Sequence, residues 1–183
     1  MVEAQDKGGL VRREGVLTSV PAAWKTRKID FGQGLVEATT IPWGDVSTAY
    51  YSTGIPNIEV YAAFGASTRQ MMVLSRYIGW LLALPPVQEF QKSLIQKQLP
   101  GPTDEERAQG RSLLWGEVED NSGKKLVSRL QTPDGYTLTA MTALAIVEKV
   151  LDGLVAVGFQ TPSLVYGPDF ILEIPGVVRE DLE

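Results

Sequence analysis

Arg111-Ser112-Leu113-Leu114-Trp115-Gly116-Glu117-Val118-Glu119 and Lys124-Lys125-Leu126-Val127-Ser128-Arg129-Leu130-Gln131 are joined across Asp120-Asn121-Ser122-Gly123, and this stretch decides the fold class. Both runs alternate in polarity, and the joint is rich in turn-forming side chains, so they read as a β-hairpin of two long neighbouring strands. Directly after it, residues 137–151 place Leu138, Met141, Leu144, Val147, Val150 and Leu151 at helical spacing, with Gly153 just past the end. That periodicity predicts the main helix of the domain, laid against a sheet.

Towards the N-terminus, residues 10–20, 27–31 and 35–41 predict three strands, punctuated by Gly15, Pro21 and Gly32-Gln33-Gly34. Residues 45–53 open with an acceptor, Asp45, and end before Gly54, the pattern of a capped short helix. Residues 57–64 alternate Ile58, Val60, Ala62 and Phe64 against Glu59 and Tyr61, as a half-buried strand does. A strongly apolar helix spans 67–84 and stops at Pro85-Pro86, and a more polar one follows over 87–99 up to Pro100-Gly101-Pro102. Core packing explains the apolar helix; so does a lid or interface helix, given Tyr77 and Trp80, and membrane-surface attachment requires it to be exposed. Its unbroken part, residues 77–84, is too short to span a bilayer, which takes roughly 20 residues. Thr103-Asp104-Glu105-Glu106 has capping-box spacing, and residues 163–174 read as a closing strand. Grouped strands and helices give an α+β class: a mixed, mostly antiparallel sheet with helices largely on one face, in a single domain over residues 1–183.

The composition narrows the chemistry. Among 183 residues there is no histidine and no cysteine, which excludes His- or Cys-based triads, zinc sites, iron–sulfur clusters and disulfides. Seventeen Lys and Arg stand against 22 Asp and Glu, a net charge of −5, and the basic residues, densest at Arg12-Arg13 and 25–28, are scattered. Nucleic-acid binding is not expected. MVEAQDKGGL carries no apolar run of signal-peptide type, so a cytoplasmic location is expected. Gly32 and Gly34 sit between two strands without a third glycine or a following helix, so they read as a tight turn and not as a dinucleotide fingerprint. Glu117, Glu119 and Asp120 read as a wet hairpin face, and no metal site is expected.

Residues 41–61 hold the most unusual chemistry. Asp45, Ser47, Thr48, Tyr50, Tyr51, Ser52, Thr53 and Asn57 crowd hydrogen-bonding groups together with almost no charge, as a pocket floor does. Capping, hydroxyl back-bonding and core tyrosines explain the same residues. Gln160 and Thr161, in Gly158-Phe159-Gln160-Thr161-Pro162-Ser163, form a second polar stretch that either faces the first or is an ordinary loop.

Four segments carry a resemblance. Pro42-Trp43-Gly44-Asp45-Val46-Ser47-Thr48-Ala49-Tyr50-Tyr51-Ser52-Thr53-Gly54-Ile55-Pro56-Asn57-Ile58-Glu59-Val60-Tyr61, Arg111-Ser112-Leu113-Leu114-Trp115-Gly116-Glu117-Val118, Thr132-Pro133-Asp134-Gly135-Tyr136-Thr137-Leu138-Thr139 and Gly158-Phe159-Gln160-Thr161-Pro162-Ser163 look like the C-terminal half of saccharopine dehydrogenase-like oxidoreductases, a group that includes trans-acting enoyl reductases. The resemblance runs from about Gly9 to Leu182. It implies an α+β domain similar to the glyceraldehyde-3-phosphate dehydrogenase C-terminal fold, which shapes a substrate site and a homodimer interface. It also implies NAD(P) bound by an N-terminal Rossmann domain that these residues lack, so the chain alone is expected to bind no cofactor and to be inactive. Asp45, Ser47, Thr48, Tyr50, Tyr51 and Asn57 would then orient a small-molecule substrate, acyl or lipid-like, with Gln160 and Thr161 closing the other wall. No catalytic residue is assigned. The alternative is a non-enzymatic binding or self-association module.

Overall fold

The computed structural model describes residues 8–82, 84–96 and 101–182. Its contacts gather into two compact units, one of residues 1–29 and 35–100, the other of residues 30–34 and 101–183. The class is α+β; the described residues form six α-helices and antiparallel sheets, with the strands in three small sheets and not one.

The first unit starts with strands β1 (Gly9–Arg13) and β2 (Val16–Val20), a hairpin where one strand over 10–20 was expected. Glu14 and Gly15 take φ of 48° and 78°, the left-handed pair that turns a two-residue hairpin. Strands β3 (Thr26–Asp30), β4 (Leu35–Thr40) and β5 (Tyr61–Ala63) make the second sheet in that order. The expected strand over 57–64 shortens to β5, because Ile58 instead exchanges backbone hydrogen bonds with Arg12 (2.9 and 3.0 Å). Helix α1 (Asp45–Thr53) stands as expected and ends at Gly54 with φ of 70°, but Gly44 occupies its N-cap and Asp45 makes no capping bond. Val11, Ile29, Ala38 and Val46 are buried and centre this unit.

Helices α2 (Ala66–Leu82) and α3 (Pro85–Gln96) complete it; the end of the helix expected over 87–99 lies outside the described residues. The core-packing reading of α2 is corrected. Tyr77 is 74% and Trp80 72% exposed, because Met72, Ser75, Ile78 and Gly79 form the half-buried side of the helix while the aromatic rings face away. Among the described residues, no helix is long and apolar enough to cross a membrane.

The second unit opens on helix α4 (Asp104–Gln109) with its capping box: Thr103 Oγ1 accepts from the Glu106 amide (3.2 Å), and the Thr103 amide donates to Glu106 Oε2 (2.7 Å). Strands β6 (Arg111–Glu119) and β7 (Lys125–Pro133) then pair in one unbroken register, as expected, and β8 (Val178–Leu182) adds to β7. Helix α5 (Gly135–Leu151) is capped by Asp134, whose Oδ1 accepts from the amides of Tyr136 and Thr137. The closing strand expected over 163–174 is corrected. Those residues form helix α6 (Pro162–Tyr166) and a 3-10 turn, Phe170–Glu173, because Thr161 caps and Pro162 starts a helix that Gly167 ends; the closing strand is β8.

Candidate functional site

Arg12 organises the segment that the sequence marks as chemically unusual. It is buried, and its guanidinium reaches from β1 into the first turn of α1: Nε donates to the Val46 carbonyl (3.0 Å), Nη2 to the Ser47 carbonyl (3.1 Å) and Nη1 to the Gly15 carbonyl (2.6 Å). The same cation lies 4.5 Å from the Tyr50 ring centroid and 5.9 Å from that of Tyr51, and the two rings meet edge to face at 5.6 Å. A desolvated cation over aromatic faces is held strongly. Sequence reasoning missed this residue by grouping it with Arg13 as scattered surface charge; nothing in the neighbouring residues Leu10 and Val11 marks Arg12 as covered.

The predicted residues of this unit fall around that knot. Thr48 Oγ1 donates to Gly44 O (3.3 Å), and Ser52 and Thr53 donate to Thr48 O and Ala49 O, so these hydroxyls back-bond to the helix. Asn57 Oδ1 accepts from the Glu14 amide (3.0 Å) and pins the β1–β2 turn. Asp45 and Tyr51 are exposed, and Ser47 and Tyr50 are half-buried. Asp45, Ser47, Thr48, Tyr50 and Tyr51 thus share one short helix, with Asn57 at the turn beside Arg12.

An open cleft of about 680 Å³ lies on the same unit, lined by Arg12, Arg13, Thr18, Lys25, Asn57 and Glu59 among others. Glu59 Oε1 binds Lys25 Nζ (2.5 Å) and Oε2 accepts from the Tyr61 hydroxyl (2.5 Å). Burial pushes the Glu59 carboxyl up, but the bonds from Lys25 and Tyr61 outweigh it and hold it below its usual value. Burial, and then the neighbouring Glu59 carboxylate, drives the Tyr61 hydroxyl well above its usual range.

In the second unit, Gln160 and Thr161 line an apolar groove of about 260 Å³ with Ile146, Val150, Val155 and Tyr166. Thr161 is buried and caps α6, and Gln160 Nε2 donates to the Val157 carbonyl (3.0 Å). Beside the groove, Lys149 binds Glu173 (2.8 Å) and sits 5.5 Å from the ring centroids of both Tyr166 and Phe170. Glu117 and Glu119 both bind Lys125 Nζ, at 3.2 and 3.3 Å, an ion-pair role that accounts for the hairpin acids.

A dinucleotide needs amides that point unsatisfied from a glycine-rich turn into a helix. Here the amides of Gly32 and Gly34 both donate to Asp30 Oδ1 (2.8 and 2.9 Å), and the chain runs on into strand β4. Those backbone bonds, the largest influence on Asp30, hold its carboxyl below its usual value. The Gly32–Gly34 turn therefore offers a pyrophosphate no free amides. No family model matches the chain, and no curated protein or solved structure matches it.

Proposed function

We propose that this chain is the substrate-binding and self-associating part of an NAD(P)-dependent oxidoreductase of the saccharopine dehydrogenase-like type, its α+β fold akin to the glyceraldehyde-3-phosphate dehydrogenase C-terminal domain. The nicotinamide would be carried by a Rossmann domain that is not among these residues, and the substrate would present an acyl or other apolar portion to the Gln160–Thr161 groove. One observation carries the reading: the second unit leaves a large apolar surface uncovered. Register places Leu114, Gly116 and Val118 of β6 on one sheet face with Leu130, Ser128 and Leu126 of β7, and Leu114, Val118 and Leu126 are all exposed. Helix α5 has no fully buried residue and exposes Leu144, Val147 and Leu151. Exposed apolar side chains grouped on one sheet face in this way mark an interaction or ligand site.

The sheet face supports a homodimer, since a two-fold contact brings the same patch of each copy together. Sedimentation should give twice the chain mass of 20.0 kDa, and Leu114→Asp with Leu126→Asp should return it to one. NADPH titrated into the chain alone should show no saturable binding; micromolar binding with turnover of an enoyl thioester would overturn the proposal. The second reading, a non-enzymatic binding or self-association module, is favoured by the back-bonding of Thr48, Ser52 and Thr53, which uses hydroxyls a substrate would need. Joining the chain to a dinucleotide-binding domain separates the two, because only the first predicts activity that Tyr50→Phe or Tyr51→Phe lowers without a matching loss of stability.

A further inference from the structure

The outward face of α2 has no role in the proposal above. Around the helix, Val73, Leu74, Tyr77, Trp80 and Leu81 point away from the half-buried side and are all exposed, and Leu84 and Phe90 continue the apolar surface into α3. No acidic residue occurs from Val60 to Gln88. Over residues 60–96 the sequence sets the cations Arg69, Arg76 and Lys92 against one acid, Glu89, an excess of two positive charges in a chain whose net charge is −5, which leaves −7 on the remainder. Arg69 pairs with Glu37 and Lys92 with Glu89. Arg76 is held differently: its Nε and Nη2 donate to the carbonyls of Ala22 and Ala23 (2.6 and 2.5 Å), neutral acceptors that leave its charge standing beside Tyr77 and Trp80.

From this we infer that the α2–α3 hairpin is a peripheral attachment site for an anionic phospholipid bilayer. An amphipathic helix lying in the interface presents apolar and aromatic side chains to the acyl boundary and cations to the headgroups, and Trp and Tyr favour that depth because one edge of each ring is polar. The helix is too short and too polar to cross, so it lies on the surface. Charge selects the bilayer over a second copy of the chain. A two-fold contact through α2 would set its positive excess against itself, whereas acidic headgroups complement it.

The test is flotation of the full chain with phosphatidylcholine vesicles with and without phosphatidylglycerol. The wild type should float with the acidic vesicles and stay down with neutral ones. Tyr77→Ser with Trp80→Ser should lower the bound fraction at least about tenfold, and Arg76→Gln about fivefold. Brominated phosphatidylglycerol should quench the tryptophan fluorescence of the wild type, and Trp80→Phe, which keeps the bulk of the side chain, should remove most of that quenching. Absence of the wild type from the acidic vesicle layer would overturn the inference. So would equal flotation of the double variant, or a halved sedimentation mass in that variant without change in flotation, which would assign the face to a second copy.

Discussion

The Arg12 guanidinium stacks 4.5 Å from the centre of the Tyr50 ring while its Nε, Nη1 and Nη2 donate to Val46, Gly15 and Ser47 carbonyls. One side chain therefore ties the first hairpin to the first turn of α1 and fixes where Tyr50 and Tyr51 sit. Arg12→Met should destabilise the chain by about 3 kcal/mol, because bonds from a charged donor contribute about 1.5–3 kcal/mol and several are lost together. Arg12→Lys should recover less than half, since a single ammonium cannot reproduce the planar fork. Urea unfolding of the three proteins measures both; equal stability of Arg12→Met and the wild type would remove Arg12 as the organiser.

Gly15 turns the hairpin at φ of 78°, and a Cβ built there would lie 3.3 Å from the Tyr50 hydroxyl oxygen. Backbone strain and steric crowding act together in Gly15→Ala, which should lose about 1–2 kcal/mol. Thermal unfolding would show it, and an unchanged Tm would mean that the turn relaxes freely.

Two aspartates at helix starts should behave differently. Asp134 accepts two amides at the head of α5 and Asp45 accepts none at the head of α1. Asp134→Ala should therefore cost about 1 kcal/mol, and Asp45→Ala only about 0.3 kcal/mol through its charge near the helix terminus. Denaturant midpoints of the pair decide this; a larger loss at Asp45 would contradict the cap assignment.

Glu59 sets a pH dependence. Its carboxyl titrates below its usual value of 4.5 in the folded chain, so its contribution is present in full above that value and is lost as pH falls through the lower, folded one. The Tm difference between wild type and Glu59→Gln should be largest near neutrality and close under acid conditions. A difference that is constant across this range would exclude the ionised Lys25–Glu59 pair as its source.

Local rules reached the elements whose cause is local. The capping box at Thr103 and Glu106, the left-handed Gly54 and the turn at Asp120 that joins Arg111–Glu119 to the strand after it each depend on residues only a few positions apart in sequence. They failed over 163–174, where Phe170, Ile171 and Leu172 look like a strand. There the helix start at Thr161-Pro162 and the turn at Gly167 consume the backbone before pairing can begin, and β7 takes its partner from Val178–Leu182 instead. Apolar periodicity gave the length of α2 but not its exposure, because a stripe of Leu, Tyr and Trp is the same whether a sheet or nothing lies over it.

By itself, the sequence determined the α+β class, the β6–β7 hairpin, the capping box at Thr103 and Glu106 and the exclusion of histidine and cysteine chemistry, all consequences of residue type and short spacing. The tertiary structure alone decided that Arg12 is buried, that the hydroxyls of Thr48, Ser52 and Thr53 turn back on their own helix, and that Tyr77 and Trp80 face outward. Burial and hydrogen-bond partners are set by segments distant along the chain, and a side chain's own identity carries no record of what is packed against it.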